Sequence, residues 1–242
     1  MKKVTIYGHR GASRYAPENT FASYNKAVEM GADGIEIDVH KSKDGYLIVC
    51  HDERVDRTTN GKGLIKELTL KEIKNLDAGS WFSKEYQGQQ IPILEEVLEF
   101  VKRKDILLDI EIKNGPIFYD KIEEDIVNQV KAYGLVEQTI ISSFNHYSLA
   151  HIKNIAKEFK TGILYIAGMI EPWNYAKKVG ASAIHPLFLT INREIVKESQ
   201  INGIMVNPFT VNGEEELKLM KAFNVDSVIT DCPDVCNRVF NI

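Results

Sequence analysis

Short apolar runs, rich in β-branched residues, alternate along this chain with segments whose apolar residues recur at helical spacing. The runs predict strands at 4–7, 34–39, 106–112, 139–142, 162–166, 183–185, 203–206 and 227–230. The segments between them predict helices at 20–30, 94–102, 117–133, 146–159, 173–179, 193–199 and 214–223, with a last helix after Pro233. The pattern therefore contains eight strand–helix units joined by short connections.

Eight such units in 242 residues predict a closed (β/α)8 barrel, the TIM-barrel fold. Each strand-like run is continuously apolar, as parallel strands are when helices cover them. A doubly wound open sheet is the alternative, but it usually has fewer strands and often a glycine-rich first turn, which this chain lacks. We therefore predict that residues 1–242 form a single barrel domain.

One long interruption, residues 40–91, separates the second and third predicted strands of the barrel. It opens with Asp44-Gly45, a two-residue hairpin turn signal, and includes a short helix predicted at 70–76. An insertion at this point of a barrel lies on the C-terminal face, where active sites are built. We expect a small subdomain of hairpin, loop and short helix that serves as a lid or a substrate-specificity element.

Composition excludes several classes of partner. The formal net charge is −4, which argues against nucleic-acid binding, because that function needs a basic surface. No apolar run approaches the ~20 residues of a membrane helix, so no stable membrane insertion and no signal peptide are expected. The three cysteines are odd in number and lack zinc-ligand spacing, which favours buried thiols in a reducing cytoplasm.

The candidate chemistry lies on the second and third predicted barrel strands. Side chains two positions apart on a strand share a face, so Glu36 and Asp38 point the same way, as do Asp109, Glu111 and Lys113. Carboxylates inside a barrel are costly unless they are paired or bound to a metal. Glu36, Asp38 and Glu111 together suit one hard divalent cation, Mg²⁺ or Ca²⁺. A structural ion-pair network with Arg10 and Lys113 is the alternative.

The hairpin suggests how a histidine joins this cluster. If Asp44-Gly45 is a two-residue turn, Lys43 pairs with Tyr46, and the same register sets Asp38 opposite His51. Directly opposed residues project on the same face, which would bring His51 beside the carboxylates.

His9 and Arg10 directly follow the first strand, at the mouth of the predicted barrel. Two histidines, His9 and His51, could divide the acid and base roles on either side of a phosphate. Arg10 and Lys113 are suited to hold the phosphate oxygens. Glu18 either orients Arg10 or His9, or favours the N-terminal turn of the first helix.

The other histidines are weaker candidates. His40 shares the strand parity of the carboxylates, but a hydrogen-bonded or solvent-facing role is favoured over metal ligation. His146 and His151 are predicted to be packing or surface residues of a helix. His185, which ends a strand, is equally suited to the pocket and to the core.

The motifs in combination resemble the signature of the glycerophosphodiester phosphodiesterase family from one end of the chain to the other. They are His-Arg-Gly-Ala at 9–12, Pro-Glu-Asn-Thr at 17–20, Glu-Ile-Asp-Val at 36–39, Lys-Asp-Gly at 43–45, His-Asp at 51–52, Glu-Ile-Lys at 111–113, and Thr-Asp at 230–231 with Pro-Asp at 233–234. The resemblance implies a (β/α)8 barrel with an inserted subdomain and a place in lipid and glycerol metabolism. It implies hydrolysis of glycerophosphodiesters to sn-glycerol 3-phosphate and an alcohol.

The resemblance also implies residue roles. His9 and His51 match the family's acid–base pair, and the phosphate contacts match Arg10 and Lys113. The metal ligands match Glu36, Asp38 and Glu111. Either water or the substrate's own glycerol hydroxyl is consistent with these residues as the nucleophile.

One departure concerns the wall of the substrate pocket. Phe209 stands where the family usually has a tryptophan, so an aromatic wall is kept and an N–H donor is lost. This change bears on the substrate more than on the chemistry. A relative that acts on lysophospholipids, with a lysophospholipase D-like reaction, is the alternative enzyme. A non-catalytic phosphodiester-binding protein is the alternative from another class.

Overall fold

Strands and helices alternate through residues 3–240, the part of the chain that the computed structural model describes; residues 1, 2, 241 and 242 of the predicted domain lie outside it. The strands are β1 (Thr5–His9), β2 (Gly34–Lys41), β3 (Leu47–Val49), β4 (Leu107–Ile112), β5 (Thr139–Ser143), β6 (Lys160–Tyr165), β7 (Ala183–Pro186), β8 (Met205–Val206) and β9 (Ser227–Thr230). The helices are α1 (Phe21–Glu29), α2 (Leu70–Lys74), α3 (Leu94–Lys104), α4 (Ile122–Tyr133), α5 (His146–Ile155), α6 (Pro172–Val179), α7 (Arg193–Ile201), α8 (Glu214–Phe223) and α9 (Pro233–Phe240).

Eight of these strands form a parallel sheet in the order β8-β7-β6-β5-β4-β2-β1-β9. Backbone hydrogen bonds also join the two edge strands, β8 and β9. Asp226 N, just before β9, donates to Val206 O at 3.0 Å, and Ile229 N of β9 donates to Pro208 O at 3.0 Å. The sheet is therefore a nearly closed barrel with helices outside it, and the predicted (β/α)8 fold is confirmed.

Strand parity separates the apolar core from the site. Ile35, Ile37 and Val39 of β2 are fully buried in the main apolar cluster, between the sheet and the helices. The alternate residues of the same strand, Glu36 and Asp38, are buried without joining that cluster. Because side chains on a strand alternate between faces, this pattern directs the carboxylates to the inside of the barrel.

Two predicted helices extend by a turn or more beyond the observed ones. The helix predicted at 117–133 begins only at Ile122, since Lys121 before it has a left-handed backbone and Asn114 Oδ1 accepts the Tyr119 amide in a loop. The helix predicted at 146–159 ends at Ile155, and Phe159 reaches the core from the turn that follows.

Residues between β2 and α3 form the interruption of the barrel. Its strand β3 pairs antiparallel with the last residues of β2, so the segment continues from the C-terminal end of the barrel. A second apolar cluster of buried residues lies within it and consists of Ile48, Cys50, Val55, Ile65, Ile73, Ala78 and Ile91. Helix α2 contributes Ile73 to this small core, and a 3₁₀ turn at Ile65–Glu67 contributes Ile65.

The register predicted for the hairpin was wrong by one residue. Val39 pairs with Val49, and Cys50 N donates to Asp38 O at 3.0 Å, so Cys50 rather than His51 lies opposite Asp38. The turn has three residues, because Ser42 N donates to Tyr46 O and Gly45 adopts a left-handed backbone with φ of 90°. Such a turn with glycine in this conformation is the common alternative to the two-residue hairpin.

Candidate active site

Three buried carboxylates meet where β2 and β4 run side by side. The register sets Glu36 opposite Asp109 and Asp38 opposite Glu111, while His9 of β1 lies opposite Glu36. One oxygen each of Glu36, Asp38 and Glu111 lies within 4.8 Å of the others. The three residues predicted as metal ligands are therefore adjacent, close enough for one cation to contact all of them.

Two cations lie at the edge of this carboxylate cluster. Lys113 Nζ is 2.6 Å from Glu111 Oε1 and 3.0 Å from Asp38 Oδ1. Arg10 Nε is 3.3 Å from Asp38 Oδ2, which also accepts a hydrogen bond of 2.8 Å from Asn19 Nδ2. Glu36 has no such cation and accepts only the Arg10 backbone amide at 3.1 Å among the described residues. The ion-pair alternative thus accounts for Asp38 and Glu111 but leaves Glu36 without a direct ion pair among the described residues.

The cluster carries unequal pKa shifts. Burial, followed by repulsion from Asp38 and Glu111, holds the pKa of Glu36 well above its ordinary range. Burial also raises the pKa of Glu111 to about 7, although Lys113 opposes the shift. Burial opposes ionisation of Asp38 too, but the charges of Lys113 and Arg10 hold its pKa well below its ordinary value.

These properties fit a divalent cation. Two of three buried carboxylates resist ionisation as they stand, and a bound cation would favour their charged form. Asp38 Oδ1 is buried without a well-aligned hydrogen bond, although Lys113 is near. A small cavity of about 20 Å³, lined in part by His9, Glu36 and Glu111, adjoins the carboxylates. The donors are all oxygens, which suits Mg²⁺ or Ca²⁺.

His9, at the end of β1, is held by a carboxylate from the far end of the chain. Its Nδ1 is 2.6 Å from Asp231 Oδ1, just after β9. Ser13 Oγ donates to the same carboxylate at 2.8 Å, and Asn212 Nδ2 donates to its other oxygen at 2.6 Å. Burial opposes ionisation of Asp231, but these hydrogen bonds, the one from His9 foremost, lower its pKa to about 2. Asp231 is therefore a fixed anionic partner of the imidazole.

Arg10 reaches the carboxylates because the chain turns sharply after β1. Arg10 has a φ of 56° and Gly11 a φ of 86°, both in the left-handed region. A Cβ at Gly11 would lie 2.5 Å from the Ser23 hydroxyl, so only glycine fits against α1 at this position. The tight turn sets the Arg10 guanidinium 2.9 Å from Glu18 Oε1.

His51 lies two residues beyond β3 and is held in a similar way. Its Nδ1 is 2.7 Å from Asp52 Oδ1. Arg57 donates to both oxygens of Asp52, and this contact, ahead of the one from His51, lowers the pKa of Asp52 to about 2. Burial lowers the pKa of His51, although Asp38 opposes that shift. His51 thus lies near Asp38, as predicted, but the irregular chain after β3 and not the hairpin register brings it there.

Glu18 joins the two halves of the site. It accepts hydrogen bonds from Arg10 at 2.9 Å and from Arg57 at 2.8 Å, and so lies between a barrel loop and the insertion. Burial opposes ionisation of Glu18, but the two arginines lower its pKa. Helix α1 begins at Phe21 with Thr20 as its cap and has no acidic residue in its first turn. Of the two predicted roles, the orientation of Arg10 is therefore the one that the geometry supports.

Phe209, the predicted aromatic wall, lies just after β8. It lines the small cavity together with His9, Glu36 and Glu111. Its ring meets Phe144 edge to face, with centroids 5.9 Å apart. Phe209 thus lies beside the carboxylates, at the border between the inner site and the loops after β5.

Three residues of the site were given no role from the sequence, although Asn19 and Asp231 belong to the family motifs at 17–20 and 230–231. Asn19 supports Asp38, Asp231 holds His9, and Arg57 holds Asp52 and Glu18. Asp231 also carried a positional signal, because a carboxylate directly after a barrel strand belongs to the catalytic face. Asn19 and Arg57 lie in loops whose course the local pattern does not determine.

The remaining histidines have structural partners. His40 is buried, with its ring nitrogens bonded to the Tyr119 hydroxyl and the His51 carbonyl, so the hydrogen-bonded role predicted for it is confirmed. His185 is fully buried beside Asn207 and Asp109 inside the barrel, which makes it a core residue. His146 is bonded to Tyr175, and His151 is an exposed partner of Glu124.

Comparison with known proteins agrees with this geometry. Residues 9–235 match the model of the glycerophosphoryl diester phosphodiesterase family. The chain is 47% identical over 232 residues to a glycerophosphodiester phosphodiesterase of Caldanaerobacter subterraneus subsp. tengcongensis, with 96% of each chain covered. It is 35% identical to a glycerophosphodiester phosphodiesterase of Bacillus subtilis, with 98% of this chain and 86% of that one covered.

Solved structures are similar as well. A phosphodiesterase of Oleispira antarctica, in complex with the product sn-glycerol-3-phosphate, superposes with a TM-score of 0.89 at 30% identity, covering 99% of this chain and 98% of that one. A glycerophosphodiester phosphodiesterase of Agrobacterium tumefaciens gives a TM-score of 0.87 at 32% identity, covering 98% and 100%. The family match and the high coverage show that this chain is an enzyme of the glycerophosphoryl diester phosphodiesterase family.

Proposed function

We propose that this enzyme hydrolyses glycerophosphodiesters to sn-glycerol 3-phosphate and an alcohol, with one divalent metal ion and two histidines. One observation carries the proposal: a buried carboxylate triad lies close to two imidazoles, and each imidazole is held by its own aspartate. A non-catalytic binding protein would not need two such histidine–aspartate pairs. The names of the relatives and the product complex of the Oleispira antarctica phosphodiesterase support the same reaction.

Glu36, Asp38 and Glu111 would hold the metal ion, Mg²⁺ or Ca²⁺. When bound, such an ion neutralises phosphoryl charge and lowers the pKa of an attacking hydroxyl. Lys113 and Arg10 each contact a carboxylate at the edge of the triad. From there they can hold the phosphate oxygens, the arginine with its planar fork and the lysine as a point charge.

The two histidines would divide the proton transfers. Nδ1 of His9 is held by Asp231 and Nδ1 of His51 by Asp52, so Nε2 is the nitrogen of each ring that can exchange a proton with the substrate. One imidazole takes the proton of the attacking hydroxyl as its oxygen bonds to phosphorus. The other gives a proton to the alcohol oxygen as the phosphorus–oxygen bond breaks. The adjacent aspartates fix the orientation of both rings.

The insertion contributes one side of this site. His51, Asp52 and Arg57 all belong to the proposed subdomain at 40–91, and Arg57 reaches Glu18 of the barrel. We propose that the subdomain closes the site and influences substrate choice.

Among residues 3–240, the structure contains no helix long and apolar enough to cross a membrane. We place the enzyme in the cytoplasm, since Cys50, Cys232 and Cys236 are free and buried.

A turnover assay with three divalent metals tests the proposed function. The purified enzyme is incubated with glycerophosphocholine and Mg²⁺, Ca²⁺ or Mn²⁺, and the release of sn-glycerol 3-phosphate is measured. We expect turnover that EDTA abolishes and that H9A and H51A reduce about 10²-fold or more. The control is H151A, because His151 is exposed on α5 and its ring is hydrogen-bonded to Glu124, far from the proposed catalytic residues in the sequence. Full turnover after complete metal removal would refute the role of the metal, and binding without turnover would favour the binding-protein alternative.

A further inference from the structure

An open groove with aromatic walls extends outward from the proposed active site. It lies between the loops that follow β4 and β5. Its volume is about 520 Å³, within the range of pockets that take small organic ligands. Its outer walls are Phe118, Phe144 and Tyr147. Its inner end is lined by Glu111 and Lys113, the proposed metal ligand and the proposed phosphate contact. The groove is thus continuous with the site where the phosphodiester would be held.

The aromatic walls are unusually exposed. Phe118 is 73% and Tyr147 88% accessible to solvent, and Phe144 is 48% accessible. Further exposed apolar residues follow the next two strands of the barrel, namely Ile166, Ile170 and Leu189. An apolar surface concentrated on one face of an enzyme commonly marks a binding site. Here that face is the one that carries the carboxylate triad.

The groove offers apolar surface and few free polar groups. Asn114 uses its amide on Glu123, Ser148 and the Tyr119 backbone. Asn145 caps α5 at Tyr147 and donates to the Asn114 carbonyl, and Ser143 donates to the Ile112 carbonyl. A polar alcohol in the groove would therefore lose its hydrogen bonds to water without gaining equivalent partners.

Phe209 marks where the groove turns into the inner site. Phe144 of the groove meets Phe209 edge to face, and Phe209 and Glu111 both line the inner cavity of about 20 Å³. The inner cavity has room for a single ion or water molecule, whereas the outer groove is many times larger. A small polar diester would leave most of the groove to water.

We propose that the groove binds a single alkyl or acyl chain carried by the substrate, so that lysoglycerophospholipids are substrates of this enzyme. The inference rests on the proposed function, because it uses the same phosphodiester site. The oxygen of water bonds to phosphorus, and the phosphorus–oxygen bond to the head-group alcohol breaks. The alcohol leaves with a proton, and the acyl ester stays intact. The products are lysophosphatidate and the free head group.

Binding without turnover tests the groove by itself. Octylphosphocholine, at concentrations where it is monomeric, and glycerophosphocholine are titrated into the enzyme in EDTA, with binding measured by calorimetry. We expect the octyl compound to bind at least about tenfold more tightly, because each buried methylene contributes. Replacing Phe118 and Tyr147 by serine should remove that advantage. L219S, at an exposed apolar residue of α8, should keep it. Equal binding of the two compounds to the unaltered enzyme would overturn the proposal.

Turnover then separates the groove from the proposed function. Choline release is measured with Mg²⁺ from monomeric octanoyl lysophosphatidylcholine and from glycerophosphocholine. The F118S/Y147S enzyme should show a KM about tenfold higher for the octanoyl substrate and an unchanged KM for glycerophosphocholine. An equal effect on both substrates, or activity only above the micelle threshold, would overturn the chain-binding role. If neither substrate turns over with any metal but the octyl compound still binds, the proposed function is wrong and the chain-binding role of the groove is retained.

Discussion

His9 and Asp231 are 222 positions apart in the chain, yet His9 Nδ1 lies 2.6 Å from Asp231 Oδ1. The contact depends on a long-range strand pairing, because β9, near the end of the chain, pairs directly with β1. Asp231 also accepts hydrogen bonds from Ser13 and Asn212, so its position does not depend on the imidazole. The pair fixes the ring orientation of a proposed proton carrier.

Removing this anion should slow proton transfer. We expect D231N to lower kcat about 10²-fold with little change in KM, because the ring loses its orientation and charged partner while substrate contacts persist. The pH profile of kcat should also change shape, an effect that a purely structural role would not produce. D234N is the control, since Asp234 lies three positions on and contacts Tyr15 and Arg238. A kcat within twofold of the unaltered enzyme would contradict the role of Asp231.

Arg57 should couple the insertion to the barrel. Its guanidinium contacts Asp52, which holds His51, and Glu18, which holds Arg10. We expect R57A to lower kcat/KM about tenfold or more, because both a proton carrier and a phosphate contact lose support. R54A serves as the control, since Arg54 lies in the same loop and its ion pair among residues 3–240 is with Asp56. If the two variants lost activity equally, general disturbance of the loop would explain the result.

Glu111 links pH to the stability of the metal-free protein. Burial, partly opposed by Lys113, raises its folded-state pKa from 4.5 to about 7. The folded state therefore holds this proton more tightly than the unfolded state, and stability falls as pH rises from about 4.5 towards about 7. E111Q should remove that loss, which we estimate at on the order of 2 kcal/mol.

Thermal melts in EDTA across this pH range measure the effect, and E194Q on the surface of α7 is the control. Adding Mg²⁺ near neutral pH should raise the Tm of the unaltered protein and leave that of E111Q almost unchanged. A melting curve for E111Q that follows pH as the unaltered protein does would contradict the assignment.

Sequence periodicity predicted the carboxylate triad because its geometry follows from the backbone alone. Glu36 and Asp38 share a face by strand parity, and Glu111 joins them once β2 and β4 are neighbours. The contacts of Asp231 and Asn19 depend instead on the long-range pairing of β1 with β9 and on a loop with left-handed backbone at Asn19. Neither is determined by local pattern, so sequence reasoning did not identify their roles.

The hairpin between β2 and β3 shows that local pattern can also fail to determine structure over a few residues. Alternation predicted a turn at Asp44-Gly45, but the loop length depended on details that alternation does not determine. Ser42 Oγ accepts the Tyr46 amide and donates to Asp44, which favours the three-residue loop. His51 still reaches the site because β3 ends at Val49 and the chain beyond it no longer follows the pleat.

The left-handed backbone at Gly45 should therefore make glycine the most stable residue at this position of the turn. Its φ of 90° is costly for a residue with a Cβ, although an added Cβ would meet nothing closer than 4.0 Å. We expect G45A to lower the free energy of unfolding by about 1 kcal/mol, measured by urea denaturation. K43A, at an exposed position of the same turn, should change it by less than about 0.5 kcal/mol. Equal stability of G45A and the unaltered protein would contradict a left-handed backbone at Gly45.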